Sequence, residues 1–235
     1  MPKTCIVIST YNRLELLRQT IDSLLLSFDK EKADIFVIND GSDRDTYEYL
    51  NGHSPNLKQL TWNENKGLRY VMNYMIGYFR NLSYDYISYV QDDVAFKKGW
   101  LDECMDLWEN QSTLYKIGFV TGHDAPEHPT IFEVNKKCLI KDTCRATHLF
   151  ASKKRWLEFG EIPDLTPGIA APRDGQGSKV DWWLIGHPED KYPHSENSLK
   201  NKGEKVLCIP GLIVHRGWNQ STWGMINPEK YYVVE

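Results

Sequence analysis

The sequence lacks a long apolar run, a basic block and an apolar leader. Its apolar stretches fall well short of the roughly 20 residues that a membrane helix needs. The 235 residues carry a net charge of −4, without the clustered Lys and Arg that mark nucleic-acid binders. The first residues, MPKTCIVIST, do not resemble a signal peptide. We therefore expect a cytoplasmic protein without a membrane-spanning segment, for which a nucleic-acid partner is unexpected but not excluded.

Cysteine pairing and several familiar catalytic motifs are also missing. The five cysteines are odd in number and no two have CxxC spacing. This pattern favours free thiols in a reducing compartment over disulfides or structural zinc. The sequence contains no P-loop, GxGxxG, HExxH or GxSxG motif. The chemistry that those motifs carry is therefore not expected.

Strand-like and helix-like segments alternate through about the first hundred residues. Apolar runs typical of buried strands occupy residues 4–9, 34–40, 57–62 and 84–90. Segments with helical periodicity lie between them, and the first opens with Asn12 and Glu15, which resemble a capping box. The alternation predicts an α/β fold, with a mixed, mostly parallel central sheet and helices on both faces.

Polar clusters follow three of the predicted strands: STYN at 9–12, NDGSD at 39–43 and QDDV at 91–94. In open α/β sheets, ligands bind outside the carboxyl ends of the strands. Because these clusters all follow parallel strands, we expect them to meet at one edge of the sheet.

Asp92 and Asp93 are adjacent acids at the end of an apolar run. Carboxylates there suit a divalent cation held together with phosphate oxygens and water, and such a cation stabilises a diphosphate leaving group. His215 ends the last clear strand and is a candidate further ligand, whose imidazole favours Mn²⁺. The alternatives are a solvated turn with two surface acids and a histidine that is simply hydrogen-bonded.

Three further groups admit two interpretations each. Asn39 and Asp40 can accept a hydrogen bond from a base such as uracil, or form an ordinary turn. Lys66 and Arg69 can bind phosphate or stack on a base, or belong to a solvated helix start. Asp181 lies between a Pro- and Gly-rich segment and two tryptophans. It can act as a general base with a raised pKa, or cap a helix.

In order along the chain, these motifs resemble those of the family 2 glycosyltransferases with the GT-A fold. VISTYNR resembles the family's opening strand and loop, VINDGSD its VDDGSxD, and NKGLRYVMN its NxGxxxARN. YVQDDV resembles its metal-binding DxD segment, and ATHLFASKKRWLEFGEI its acceptor-side strand and helix. VDWWL stands where the family has the ED of its catalytic base. The resemblance covers most of the chain and is strongest over residues 4–100.

The resemblance implies a metal-dependent transfer of a sugar from a nucleotide-diphospho-sugar, a UDP-sugar foremost, with inversion at the anomeric carbon. Mn²⁺ or Mg²⁺ is the implied cofactor, with Asp93 and His215 as ligands, and Asp181 is the implied base. Together with Lys66, the residues implied to bind the nucleotide-sugar are Thr10, Tyr11, Asn39, Asp40, Arg69 and Asp92. The chain departs from the family's pattern in three places: Asn39 replaces the first Asp of DDGS, the two acids are adjacent, and VD replaces ED.

We expect one domain over residues 1–235. Residues 1–100 would form the nucleotide-sugar-binding half, 101–217 the acceptor-binding half and 218–235 a tail. The loop 163–179 is expected to order over the donor. The expected acceptor is a glycan hydroxyl, and a modified nucleobase or a protein side chain stays open. A sugar-phosphate nucleotidyltransferase and a non-catalytic sugar- or nucleotide-binding protein are the competing functions.

Overall fold

The computed structural model describes residues 2–52, 57–125, 128–135, 137–164, 176–186 and 194–216. Its strands are β1 (Thr4–Thr10), β2 (Ala33–Asn39), β3 (Lys58–Thr61), β4 (Tyr86–Gln91), β5 (Val94–Phe96), β6 (Ile117–Thr121), β7 (Thr130–Asn135), β8 (Cys138–Lys141), β9 (His148–Ser152), β10 (Lys205–Cys208) and β11 (Ile213–His215). Its helices are α1 (Leu14–Leu25), α2 (Arg44–Gly52), α3 (Leu68–Phe79), α4 (Trp100–Gln111), α5 (Lys153–Glu158), α6 (Gln176–Ile185) and α7 (Leu199–Lys202).

Nine of these strands form one central sheet in the order β3-β2-β1-β4-β9-β6-β10-β8-β7. Strands β9 and β8 run against the others, so the sheet is mixed and mostly parallel. A separate two-stranded sheet joins β11 to β5. The predicted α/β class, with its mixed, mostly parallel sheet, is confirmed.

Apolar side chains on the two faces of the central sheet pack into two cores. Alternate residues of a strand point to opposite faces, and β1 shows this clearly. Ile6 and Ile8 pack with α1 and α4, whereas Cys5 and Val7 pack with α3 and α5. Helices therefore cover both faces, as predicted. All five cysteines are buried free thiols.

The first helix does not begin with the predicted capping box. Arg13 is the N-cap of α1 and makes no side-chain capping hydrogen bond. Asn12 instead adopts a left-handed backbone with φ of 53°, and its side-chain oxygen accepts the backbone N–H of Asp43 at 2.9 Å. The capping-box prediction is therefore wrong, because Asn12 connects two loops rather than starting the helix.

Within the described ranges, no helix combines the length and apolarity needed to cross a bilayer. Most of the loop expected at 163–179 and the whole of the tail at 218–235 lie outside the described residues.

Candidate active site

The carboxyl ends of β1, β2 and β3 place three polar side chains in one row. Thr10 pairs in register with Asn39, and Asn39 pairs with Thr61. Asn39 is fully buried, and its Oδ1 accepts the backbone N–H of Ser42 at 2.9 Å. Because Oδ1 is the acceptor in that bond, the other polar atom of the amide is the donor Nδ2. Nδ2 has no hydrogen-bond partner among the described residues. The Thr61 hydroxyl is buried and unbonded in the same way.

The row continues into the acids that follow β4. The Thr10 hydroxyl is close enough to Asp92 to favour its ionised form, but their geometry falls short of a hydrogen bond. Asp92 and Asp93 are 3% and 1% exposed, so the interpretation as a solvated turn is wrong. One oxygen of each acid, Asp92 Oδ2 and Asp93 Oδ1, has no hydrogen bond within the described structure. Buried polar atoms without partners each cost about 1–3 kcal/mol, which a polar ligand at this edge would recover.

Arg13 bridges the two acids from the start of α1. Its Nη1 lies 3.0 Å from Asp92 Oδ1, and its Nη2 forms an ion pair with Asp93 Oδ2. His215 contributes a second contact, with Nε2 at 3.1 Å from Asp93 Oδ2. Arg13 was not predicted from the sequence to be a site residue. Its position directly after the STYN cluster was the signal that pointed to it.

The two acids have opposite pKa shifts. Burial raises the pKa of Asp92, and the charge of Asp93 adds to this, while Arg13 opposes it without cancelling it. Burial also acts to raise the pKa of Asp93, but the contacts with His215 and Arg13 outweigh it and lower the pKa. Asp93 is therefore the acid that stays ionised.

The small sheet of β5 and β11 brings His215 to Asp93. His215 pairs with Val94, the residue after Asp93. The backbone N–H of Arg216 also donates to the carbonyl oxygen of Asp93 at 2.6 Å. Two segments far apart in sequence are thereby joined beside the acids.

The donor atoms here suit a hard divalent cation, although the geometry is incomplete. Among the described residues, no group of three or more His, Cys, Asp or Glu side chains is arranged to hold a metal ion. Two carboxylates and an imidazole are nevertheless present, with one unbonded oxygen on each acid. Phosphate oxygens and water commonly complete such a set, so the residues fit Mn²⁺ or Mg²⁺ bound together with a diphosphate.

Asp40 and Gly41 contact the loop that leads into α3 and hold it in place. Asp40 accepts the backbone N–H groups of Lys66 and Gly67 at 2.7 and 2.8 Å. Burial raises the pKa of Asp40, and these two hydrogen bonds partly offset the rise. Gly41 has φ of +77°, and a Cβ there would lie 2.3 Å from the carbonyl carbon of Glu64. The two loops therefore approach too closely for any side chain at Gly41.

We expect Gly41→Ala to destabilise the fold by about 2–4 kcal/mol. The new methyl group meets backbone that cannot yield, and the positive φ adds strain. Thermal unfolding measures the loss of stability. Gly52→Ala is the matched control, because nothing lies within 4 Å of its added Cβ. Equal melting temperatures for both variants would contradict the expectation.

The side chains of Tyr11, Lys66 and Arg69 border this edge and are more open to solvent. Tyr11 follows β1 directly and is 46% exposed. The Lys66 ammonium lies 5.5 Å from the centre of the Trp62 ring, and the Arg69 guanidinium 4.5 Å from that of Tyr70. Lys66 also lines a shallow cavity of about 440 Å³ beside Thr61. The structure thus places the cations around the strand ends, in contact with aromatic rings.

Asp181 lies inside α6, five residues after its start at Gln176, so the N-cap interpretation is wrong. The residue is partly buried, but its Oδ1 is fully buried and has no hydrogen bond within the described structure. Burial raises its pKa to about 7, against the opposing effects of the Ala146 backbone N–H and Arg145. A carboxyl with this pKa can take up a proton near neutral pH.

Tyr89 connects Asp181 electrostatically with the acid pair. Its buried hydroxyl is hydrogen-bonded to Ser9 Oγ at 2.8 Å. Burial raises the pKa of Tyr89, and the negative charges of Asp181, Asp92 and Asp93 add to the rise. The charges of all three acids therefore act on this one hydroxyl.

Three solved structures share the GT-A fold of this chain. TarS of S. aureus is 13% identical, with a TM-score of 0.58 over 89% of this chain and 35% of that one. The mannosyltransferase PcManGT from Pyrobaculum calidifontis, in complex with GDP-Man and Mn²⁺, is 13% identical, with a TM-score of 0.54 over 79% and 53%. GalNAc-T7 with UDP, GalNAc and Mn²⁺ is 13% identical, with a TM-score of 0.57 over 91% and 43%.

At this identity the likeness shows the fold, and the chain spans about half or less of the length of these three proteins. The model of glycosyl transferase family 2 matches residues 5–173, which is more than half of the chain. The chain therefore belongs to glycosyl transferase family 2. Comparison with curated protein sequences gives no match. Family membership favours a glycosyltransferase over the nucleotidyltransferase and the non-catalytic binding protein.

Proposed function

We propose that this chain transfers a sugar from a UDP-sugar to a glycan hydroxyl, with inversion at the anomeric carbon and with Mn²⁺ or Mg²⁺ bound. One observation carries the proposal. A row of buried polar atoms without hydrogen bonds runs along the strand ends, from Thr61 and Asn39 to Asp92 and Asp93. Such atoms are rare in folded proteins unless a ligand satisfies them. A nucleoside diphosphate presents its polar groups in a matching order, from the base through the ribose to the two phosphates.

The base and ribose occupy the β1–β3 part of this row in the proposal. The Asn39 amide donates to a base carbonyl, since its oxygen already accepts from Ser42. The exposed ring of Tyr11 offers a face on which the base can stack. Asp40 acts indirectly by holding the loop that carries Lys66. Lys66 and Arg69 supply positive charge for the phosphates.

The diphosphate lies beside the acid pair in this arrangement. Asp93 and His215 would hold the divalent cation, and Asp92 would lie beside the ribose or the cation. When bound, the cation neutralises the charge that develops on the leaving diphosphate. Asp93 suits this role because it remains ionised despite its burial.

Asp181 is the proposed general base. It removes the proton from an acceptor hydroxyl, whose oxygen forms a bond to the anomeric carbon on the face opposite the diphosphate. The bond between that carbon and the diphosphate oxygen breaks, and UDP leaves with the electron pair. Asp181 then releases the proton to solvent. In this scheme residues 1–100 bind the donor, with His215 as a further ligand of its cation, and the rest of residues 101–217 bind the acceptor.

Calorimetry with UDP, in the presence and absence of Mn²⁺, tests the donor site. We expect binding that Mn²⁺ strengthens, and a panel of nucleotide sugars should then identify one that is slowly hydrolysed. Hydrolysis separates sugar transfer from nucleotide binding alone. A protein that binds no nucleotide, with or without Mn²⁺, would overturn the proposal.

The raised pKa of Asp181 predicts a dependence of kcat/KM on pH. A general base works only when it is deprotonated, so we expect kcat/KM to fall about tenfold per pH unit below pH 7 and to level off above it. The unperturbed value of 3.8 would instead leave the rate flat between about pH 5 and 8. Initial rates measured from pH 5 to 9 decide between the two profiles.

A further inference from the structure

Arg13 places a positive charge directly beside the acid pair. Its guanidinium contacts one oxygen of Asp92 and one of Asp93. Both acids are almost fully buried, whereas the Arg13 side chain is 28% exposed. Of the side chains in contact here, Arg13, Asp92, Asp93 and His215, Arg13 is thus the most exposed to solvent.

A guanidinium and a divalent cation attract the same carboxylates and repel each other. Both are strongly favoured next to two buried acids, because the effective dielectric constant there is low. A cation at the two unbonded oxygens, Asp92 Oδ2 and Asp93 Oδ1, would lie on the same carboxylates as the guanidinium. The repulsion between the two cations then weakens the contacts of Arg13.

The local structure allows Arg13 to leave without unfolding the helix. Arg13 precedes α1 as its N-cap and provides no side-chain capping bond, so α1 does not depend on its guanidinium. A planar guanidinium released next to a diphosphate can bind it through two parallel hydrogen bonds.

We propose that Arg13 is a positioning residue that competes with the divalent cation for Asp92 and Asp93 and is released when cation and diphosphate bind together. This inference rests on the proposed function and adds a consequence to it. Arg13 holds the affinity for the cation low until the diphosphate arrives, so the two ligands bind cooperatively. Coupling of this kind is reciprocal, so each ligand strengthens the other by the same factor.

Electron paramagnetic resonance of free Mn²⁺ measures the affinity of the whole chain directly. Without nucleotide, Arg13→Gln should bind Mn²⁺ about tenfold more tightly than wild type, because the competing charge is gone. The factor by which UDP strengthens Mn²⁺ binding should shrink in the variant. A merely structural role for Arg13 would leave that factor unchanged. Arg44→Gln is the control, since Arg44 is exposed and pairs with Glu48 within α2.

Equal or weaker Mn²⁺ binding by Arg13→Gln would overturn the inference. If this variant does not fold, Arg13→Lys decides: one ammonium cannot bridge both acids, so Mn²⁺ binding should still tighten, by about threefold. Transfer activity is a separate readout. Sugar transfer with unchanged Mn²⁺ affinity in the variants would overturn the competition alone. If the variants bind Mn²⁺ more tightly but the wild-type protein turns over no nucleotide sugar, the competition stands and the proposed function is overturned.

Discussion

The Asp181→Asn variant is expected to lose sugar transfer by about 1,000-fold while its affinity for UDP stays unchanged. Asn keeps the shape of the side chain but cannot accept a proton from the acceptor hydroxyl. Steady-state rates with the identified nucleotide sugar measure the loss, and calorimetry with UDP and Mn²⁺ measures the affinity.

The same variant should also be more stable than wild type above pH 7. The pKa of Asp181 rises on folding from 3.8 to about 7, so the acid destabilises the fold increasingly as pH rises through that window. Because the residue is partly exposed, we expect Asp181→Asn to raise the free energy of unfolding by about 2 kcal/mol, which is less than the pKa difference alone would give. The gain should vanish below about pH 4.

Asp142→Asn is the matched control for this experiment. Asp142 lies in the same half of the chain, is exposed, and forms a surface ion pair with Lys205. Surface pairs contribute little stability, so activity and melting temperature should both stay near wild type. Full turnover by Asp181→Asn would show that another group removes the proton.

Asp93→Asn is expected to abolish the effect of Mn²⁺ on UDP binding and to lower kcat/KM by about 1,000-fold. The change removes the acid that stays ionised and that contacts both Arg13 and His215. A cation that stabilises the leaving group contributes several kcal/mol, and each 1.36 kcal/mol corresponds to a tenfold change in rate. Calorimetry across a series of Mn²⁺ concentrations, with parallel rate measurements, tests both effects.

A loss of folding would be a different explanation for that result, so the melting temperature must be followed. Asp93→Asn leaves Arg13 with Asp92 as its acidic partner in the cluster, which should lower the melting temperature by several degrees. The protein should still unfold in one transition. Mn²⁺-stimulated UDP binding that survives in a folded Asp93→Asn variant would remove Asp93 from the cation site.

The layered fold could be predicted from the sequence because the strand and helix patterns of its segments match the strands and helices that they form. Short apolar runs with strand spacing became β1 to β4, and the amphipathic segments between them became helices on both faces. The carboxyl-end rule then indicated which polar clusters share an edge. Thr10 and Asn39 do lie in register there.

The contacts between distant segments were not predictable in this way. The β5 and β11 strands pair over three residues each, which is too short for a periodic signal. Arg13 was not predicted as a site residue, because its role depends on contacts with the acids that follow β4. Asp181 was read partly as a helix cap, since the start of α6 at Gln176 lies in a segment with weak helical periodicity.

The pairing of β11 with β5 has a consequence for the order of events during biosynthesis. Asp93 emerges from the ribosome early, but His215 and the Arg216 backbone reach it only after more than a hundred further residues have been made. The edge formed by the carboxyl ends of β1 to β4 can therefore assemble well before His215 reaches it. In the proposed mechanism, catalytic competence therefore requires synthesis of the chain as far as His215 and not only the folding of β1 to β4.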